Sequence, residues 1–237
     1  HGIVGMGSKL IFAVPSKGRL MEATTGMLAE GGLEVRKTGS ERGYRGEIVD
    51  VGDVEIAFIS ASEIANALRI GQVHLGVTGE DLIREEIADA DKRVKFLNPL
   101  RFGHADVDVA VPACWIDVRA MEDLDEVAIA FRREHQRRMR VATKYVNLTR
   151  RHFSYYGISD YRIVESLGAT EGTPAAGTAE LIVDITSTGT TIRANGLKQI
   201  GGGTILKSEA NLIESRMAEW TPELRAVQND ILKRLGI

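Results

Sequence analysis

The sequence predicts two α/β domains, each built on a mostly parallel β-sheet. Three observations carry that expectation. Short apolar runs alternate with helical stretches, the pattern of strands joined by crossover helices. The 237 residues are long enough to bury two small cores. Glycine, threonine and lysine or arginine recur at the carboxyl ends of the strands, where open parallel sheets bind ligands.

The elements follow in order. The first residues, His1 to Gly7, have little pattern and are set aside. Lys9 to Val14 reads as a buried strand, broken by Pro15-Ser-Lys-Gly18 before a helix from about Arg19 to Glu30. After a polar stretch from Lys37 to Gly46, Val54 to Ile59 reads as a strand and Ala61 to Ile70 as a helix. His74 to Val77 is a short strand running into Thr78-Gly79-Glu80-Asp81, with a helix to Ala88. A second unit starts near Asp106 with Val107 to Val111, a helix from Leu124 to Arg138, the strand Arg140 to Thr143 and a helix from Asn147 to Tyr156. Tyr161 to Val164 and Leu181 to Ile185 are its further strands. In the tail, Thr204 to Ile213 alternates weakly as a strand and Pro222 to Leu235 is a helix, returning to the first domain. The expected domains are 1–102 with 196–237, and 103–195.

Composition excludes several classes. Hydrophobic residues make up 43% and charged residues 27%, which is too apolar for a disordered chain. A net charge of −3 gives no basic excess for the backbone of a nucleic acid. Cys114 is the only cysteine, so neither an intrachain disulfide nor a thiolate zinc site is available, and a cytoplasmic location is expected. No apolar run reaches the ~18 residues of a membrane helix, and the start lacks a basic region followed by an apolar one. No membrane association is expected.

The densest chemistry lies in Ser187-Thr-Gly-Thr-Thr191, between a buried strand and a helix. Successive backbone N–H groups and four hydroxyls make a cradle for a phosphate dianion. A polar helix cap would read the same way. Asp184 favours the cradle, because a carboxylate three residues earlier can accept hydrogen bonds from ribose hydroxyls while the loop holds a 5′-phosphate. Glu171 and the small-residue turn Pro174-Ala-Ala176-Gly177 precede it, where a pyrophosphate could be admitted. Lys17 and Arg19 flank Gly18 in the first strand-to-helix loop and suit phosphates, though a solvated pair has the same sequence. Thr78-Gly79 is either a phosphate contact or a plain helix start. Lys144 and Tyr145 offer a cation and a ring for phosphate and adenine, or an exposed pair. His104, His135 and His152 have no metal or triad spacing.

With these residues in place, Glu171 to Ile192 resembles the signature of the ATP phosphoribosyltransferases, the first enzymes of histidine biosynthesis. Glu171, Gly177, Ala179, Ile182, Asp184, Ile185, Thr188, Gly189 and Thr191 fall at the family's spacing. Ile192 departs from the usual Leu or Met, an apolar exchange. Pro15 to Leu20, Leu75 to Asp81, Val141 to Tyr145 and Arg193 to Leu197 resemble the same family, so the likeness covers nearly the whole chain.

The resemblance implies a periplasmic-binding-protein-like (type II) fold with the active site in the interdomain cleft. It implies phosphoribosyl transfer from phosphoribosyl pyrophosphate to N1 of ATP, with Mg2+ held through substrate phosphates rather than by an assigned protein ligand. Lys17, Arg19 and Arg45 are the implied catalytic cations, with Arg42 as a substitute for Arg45. Glu171, Ala176, Gly177, Asp184, Thr186, Ser187, Thr188, Gly189, Thr190 and Thr191 would bind phosphoribosyl pyrophosphate. Ser16, Lys17, Gly18, Arg19, Thr78, Gly79, Lys144 and Tyr145 would bind ATP. With about forty residues after the last family-like block, the chain looks like the short form. The resemblance then implies a homodimer of this chain inside a hetero-octamer, with a regulatory subunit resembling histidyl-tRNA synthetase. The alternatives are a nucleobase phosphoribosyltransferase and a non-catalytic solute-binding module. The first usually carries two adjacent acidic residues before its loop, whereas Val183 precedes Asp184 here.

Overall fold

The computed structural model describes residues 8–39 and 44–237, so the first seven residues and Arg42 lie outside the description. The chain divides into two compact units, residues 1–103 with 209–237, and residues 104–208.

The sheet of the first unit has the order β2-β3-β4-β1-β5-β12-β6. Its strands are β1 (Leu10–Pro15), β2 (Val35–Lys37), β3 (Arg45–Ile48), β4 (Val51–Ile59), β5 (Leu75–Gly79), β6 (Val94–Pro99) and β12 (Ala210–Ser215). Alternation along β1 explains the layering. Leu10, Phe12 and Val14 face one core with Leu28 of α1 (Gly18–Glu30) and Leu224 and Ile231 of α8 (Pro222–Arg234). Ala13 faces the other, with Ile64 and Leu68 of α2 (Ala61–Ile70), Ile83 of α3 (Glu80–Glu86) and Ala90 of α4 (Ala90–Arg93). A strand covered on both faces must be apolar throughout, which is why β1 was legible.

Local chemistry fixes the helix ends. Ser60 Oγ accepts from the Glu63 amide at 3.2 Å, and the Glu63 carboxylate accepts from the Ser60 amide at 2.9 Å, a reciprocal cap that starts α2. Gly71 ends it at φ 81°, and a Cβ there would lie 2.4 Å from the Met217 carbonyl oxygen, so only glycine fits.

His74 fastens the tail to β1. Its Nδ1 accepts from the Ile11 amide at 3.0 Å, which leaves Nε2–H to donate to the Glu219 carbonyl at 3.0 Å. The ring sits edge-on to Trp220, and the guanidinium of Arg225 lies over that indole. Burial, with Arg225 nearby, lowers the His74 pKa against the pull of the Glu219 carbonyl. His152 is lowered too, again chiefly by burial. Each thus binds a proton less readily in the fold than when unfolded. Their stabilisation is therefore complete above the ordinary histidine value and is lost as pH falls through it. The melting temperature should fall between pH 7.5 and 5.5, and His74→Gln should flatten the fall; a profile unchanged by the substitution would remove His74 from the account.

The second unit has the sheet order β11-β7-β10-β8-β9. Its strands are β7 (Ala105–Pro112), β8 (Met139–Thr143), β9 (Tyr161–Glu165), β10 (Leu181–Thr186) and β11 (Leu197–Ser208). Val107, Val109, Val141, Leu181 and Val183 face a core closed by Leu124 and Ala128 of α5 (Leu124–His135) and Leu148 and Phe153 of α6 (Val146–Tyr155). The opposite face is built of smaller residues, Ala110, Ala142 and Ile182, under Ile192 of α7 (Thr190–Ala194).

Two expectations are corrected. The sheets are mixed: among the strands of the described residues, only β1–β4, β1–β5, β8–β10 and β8–β9 pair in parallel. β3 folds back on β4, while β7, β11 and β12 run against their neighbours. The return to the first unit comes at residue 209 rather than 196. Leu197–Ser208 pairs along β7, so the weakly alternating tail is two strands in two sheets.

Candidate active site

β10, β8 and β9 run in parallel, with Leu181 beside Val141 and Thr143 beside Glu165, so their carboxyl ends share one rim of the second unit. Lys144 and the 187–191 loop both leave from that rim. Gly189, at φ 77° and ψ 0°, is the residue before α7. The positive φ is what favours glycine here; a Cβ would meet only the tip of the flexible Arg193 side chain, 2.9 Å from its Nη1. Ser187, Thr188, Thr190 and Thr191 are exposed, and the hydroxyls of Thr188 and Thr190 lie 2.9 Å apart. Arg193 folds back from α7, its Nη2 3.4 Å from the Thr188 carbonyl. It is a cation over the loop that sequence reasoning left without a role, although it opens one of the family-like blocks.

Asp184 is half-buried near the end of β10, and one of its oxygens accepts from the Ile185 amide at 2.8 Å. Burial raises its pKa above the ordinary aspartate value. The Ile185 amide opposes that shift, the negative charge of Glu171 adds to it, and Lys144 acts against it. The fold thus gathers Glu171, Asp184 and Lys144 around the loop. A carboxylate held in an environment that resists its charge, beside a second carboxylate and a cation, marks a ligand site.

Other sequence candidates are placed differently. Thr186 is buried and its hydroxyl donates to Asp108, so it supports the loop from below rather than lining it. The Tyr145 ring is fully buried in the core with Phe153 and Leu148, which removes it as a platform for adenine. Its neighbour Lys144 belongs to the Asp184 cluster. Ala176 and Gly177 are carried to the other end of β10. The Gly177 carbonyl accepts from Nη2 of Arg140 at 2.9 Å, and Arg140 lies at the start of β8. There Pro174 and Gly177 help line a cavity of about 800 Å³ with Pro112, Phe131 and Glu180. Burial would raise the pKa of Glu180, but hydrogen bonds from Arg140 and Arg137 bring it to about 2.

In the first unit, Pro15 lies beside Ile59 and Gly79 beside Ala210, so the loops after β1, β4 and β5 share one rim. The Ser16 amide donates to the Ile59 carbonyl at 3.0 Å. Lys17 is the cap residue of α1, and Gly18 turns the chain at φ 75°. Lys17 and Arg19 are exposed, with no carboxylate partner among the described residues. Arg45 opens β3 opposite Ala57, on the same rim, and its Nη1 is 2.5 Å from the Glu55 carboxylate. Thr78 is fully buried and donates to the Ala61 carbonyl at 2.9 Å, while the Glu80 amide donates to the Glu209 carbonyl at 3.1 Å. The Thr78 hydroxyl and the Glu80 amide are thus engaged within the fold, and Gly79 is paired with Ala210 at the end of β5.

Comparison with known proteins identifies the family and the fold. The ATP phosphoribosyltransferase family model matches residues 60–236. A curated ATP phosphoribosyltransferase of Bradyrhizobium diazoefficiens is 59% identical over 231 residues, covering 98% of this chain and 71% of that protein. Among solved structures, the ATP phosphoribosyl transferase (HisG:HisZ) complex from Thermotoga maritima superimposes with a TM-score of 0.72 at 22% identity, covering 96% of this chain and 98% of that one. A substrate-binding protein of an amino acid ABC transporter follows at 0.53 and 12% identity, covering 96% and 92%, so the fold is periplasmic-binding-protein-like. With a family model over most of its length and a relative at 59% identity, the chain belongs to the ATP phosphoribosyltransferase family.

Proposed function

We infer that the chain transfers the phosphoribosyl group of phosphoribosyl pyrophosphate to N1 of ATP, the first step of histidine biosynthesis. The observation that carries this reading is the carboxylate pair Glu171 and Asp184 set beside the Ser187–Thr191 loop and Lys144 on one rim. The loop N–H groups, hydroxyls and Arg193 suit a 5′-phosphate, and Asp184 suits the ribose hydroxyls. Membership of the family supports ATP as the acceptor over a free base.

In the reaction the lone pair of adenine N1 forms a bond to ribose C1 as the C1–O bond breaks, and the bonding pair leaves with pyrophosphate. Neutral N1 carries no proton to remove, so the chemistry asks for no general base. It asks for positioning and for positive charge where the diphosphate develops its own. Lys17 and Arg19, exposed and without a carboxylate partner among the described residues, suit that charge. Mg2+ bound to the diphosphate would neutralise it further. The ion would be held through the substrate phosphates, with no protein ligand assigned.

The reading extends to a homodimer of this chain and to a regulatory subunit resembling histidyl-tRNA synthetase; the name HisG:HisZ on the Thermotoga maritima complex is what supports a partner. No described helix is long and apolar enough to cross a membrane. The deciding assay is pyrophosphate release from ATP plus phosphoribosyl pyrophosphate with Mg2+, for the chain alone and with that subunit. Release that needs both substrates is expected. Silence in both conditions, or equal release with a free purine or pyrimidine replacing ATP, would overturn the reading.

A further inference from the structure

Asp108 was not singled out by its sequence. It sits mid-strand in β7, yet its side chain is 3% exposed and lies on the small-residue face with Ala110. A buried carboxylate is costly unless donors surround it. Here three do. Thr204 Oγ1 donates to one oxygen at 2.5 Å; Thr186 Oγ1 and Gln199 Nε2, the latter at 3.2 Å, donate to the other. Gln199 Nε2 is also 3.3 Å from the Thr186 hydroxyl. The donors come from two strands, β10 on one flank of β7 and β11 on the other. Thr186 is the last residue of β10, and the loop begins at Ser187.

We propose that Asp108 is a positioning residue that fixes the 187–191 loop through Thr186, and so sets the affinity for phosphoribosyl pyrophosphate without touching it. The inference rests on the reading of this loop as the phosphoribosyl site. Backbone pairing cannot hold the loop, because the β10 ladder to β7 ends at Thr186 opposite Asp106. Beyond it the loop is held only by contacts within itself and α7, such as Arg193 Nη2 to the Thr188 carbonyl, so the Thr186 hydroxyl is its tie to the sheet. Asp184 lies directly opposite Asp108 in that ladder. With its oxygens taken up by Thr186, Gln199 and Thr204, Asp108 leaves Asp184 to the ligand.

The network supplies its own control. Thr186→Val and Thr204→Val each remove one hydroxyl donated to the same carboxylate, at nearly constant shape. A purely structural role predicts equal effects. Positioning predicts that Thr186→Val alone weakens phosphoribosyl pyrophosphate, by about tenfold for a hydrogen bond to a charged group. The measurement is calorimetric titration of phosphoribosyl pyrophosphate with Mg2+ into the purified chain, with melting temperatures alongside. We expect similar melting losses in the two variants, about tenfold weaker binding for Thr186→Val, less than twofold for Thr204→Val, and recovery in Thr186→Ser. Equal binding losses in the two valine variants, or no loss in Thr186→Val, would overturn the proposal. If the unaltered chain takes up no phosphoribosyl pyrophosphate, the reading of the loop falls and this inference with it.

Discussion

Asp184→Asn is expected to lower kcat/KM for phosphoribosyl pyrophosphate by about a hundredfold while leaving the fold as stable as before or more so. The first half follows from the charge: a carboxylate accepting hydrogen bonds from ribose hydroxyls contributes up to roughly 3 kcal/mol, and an amide that presents one acceptor and one donor cannot match it. The second half follows from the direction of its pKa. Burial, reinforced by Glu171, raises Asp184 in the fold. Between the unfolded and folded values the native state holds the extra proton, so stability falls as pH rises through the ordinary aspartate range. At neutral pH the ionised group is thus a cost to the free protein, and asparagine removes it. Residues kept at the expense of stability are those that serve a ligand. Initial rates over a range of phosphoribosyl pyrophosphate, with thermal melting at pH 7, check both halves. A variant that loses activity and stability together would make Asp184 a structural residue, and one with unchanged kcat/KM would detach it from the substrate.

How far the sequence reached can be seen from these residues. β1 was legible because burial on both faces makes a strand apolar throughout, and β5 and β10 because each opens on a run of buried, mostly apolar residues. α2 was legible to the residue because Ser60 and Gly71 mark its ends chemically. β11 was not, because its glycines at 201–203 interrupt the alternation that would have announced a strand, and its pairing to β7 is made across 85 or more positions of sequence. The same holds at the site. Gly189 and Asp184 declare themselves by type and spacing, whereas Asp108 acquires its meaning only when Thr186, Gln199 and Thr204 converge on it. Tyr145 misled for the complementary reason: a tyrosine at a strand end reads as a ligand platform, and only packing reveals that its ring is core. Gly177 fits the family's spacing, yet the fold carries it to the other end of β10. Local pattern yields elements and their ends; which side chains meet is decided by long-range pairing.

That distinction ranks the cations of the first unit. The resemblance implies Lys17, Arg19 and Arg45 together as catalytic cations, but the structure gives Arg45 a partner, the Glu55 carboxylate at 2.5 Å, and gives Arg19 none among the described residues. A guanidinium beside a carboxylate presents a dipole rather than a net charge, so its attraction for a diphosphate falls off faster with distance. Arg19→Ala is therefore expected to lower turnover by about a hundredfold, ~3 kcal/mol of the stabilisation given to charge developing on the leaving group. Arg45→Ala should cost no more than about tenfold. Arg19→Lys should recover part of the loss, because an ammonium restores the charge but not the two-pronged grip on phosphate oxygens. Both arginines are exposed, so neither alanine should move the melting temperature, which separates a loss of chemistry from a loss of fold. Turnover measured at saturating ATP and phosphoribosyl pyrophosphate decides. Unchanged turnover in Arg19→Ala would remove it from the reaction. Equal losses in the two alanine variants would mean that Arg45 leaves Glu55 when substrate arrives, and the ranking drawn from the free protein would fail.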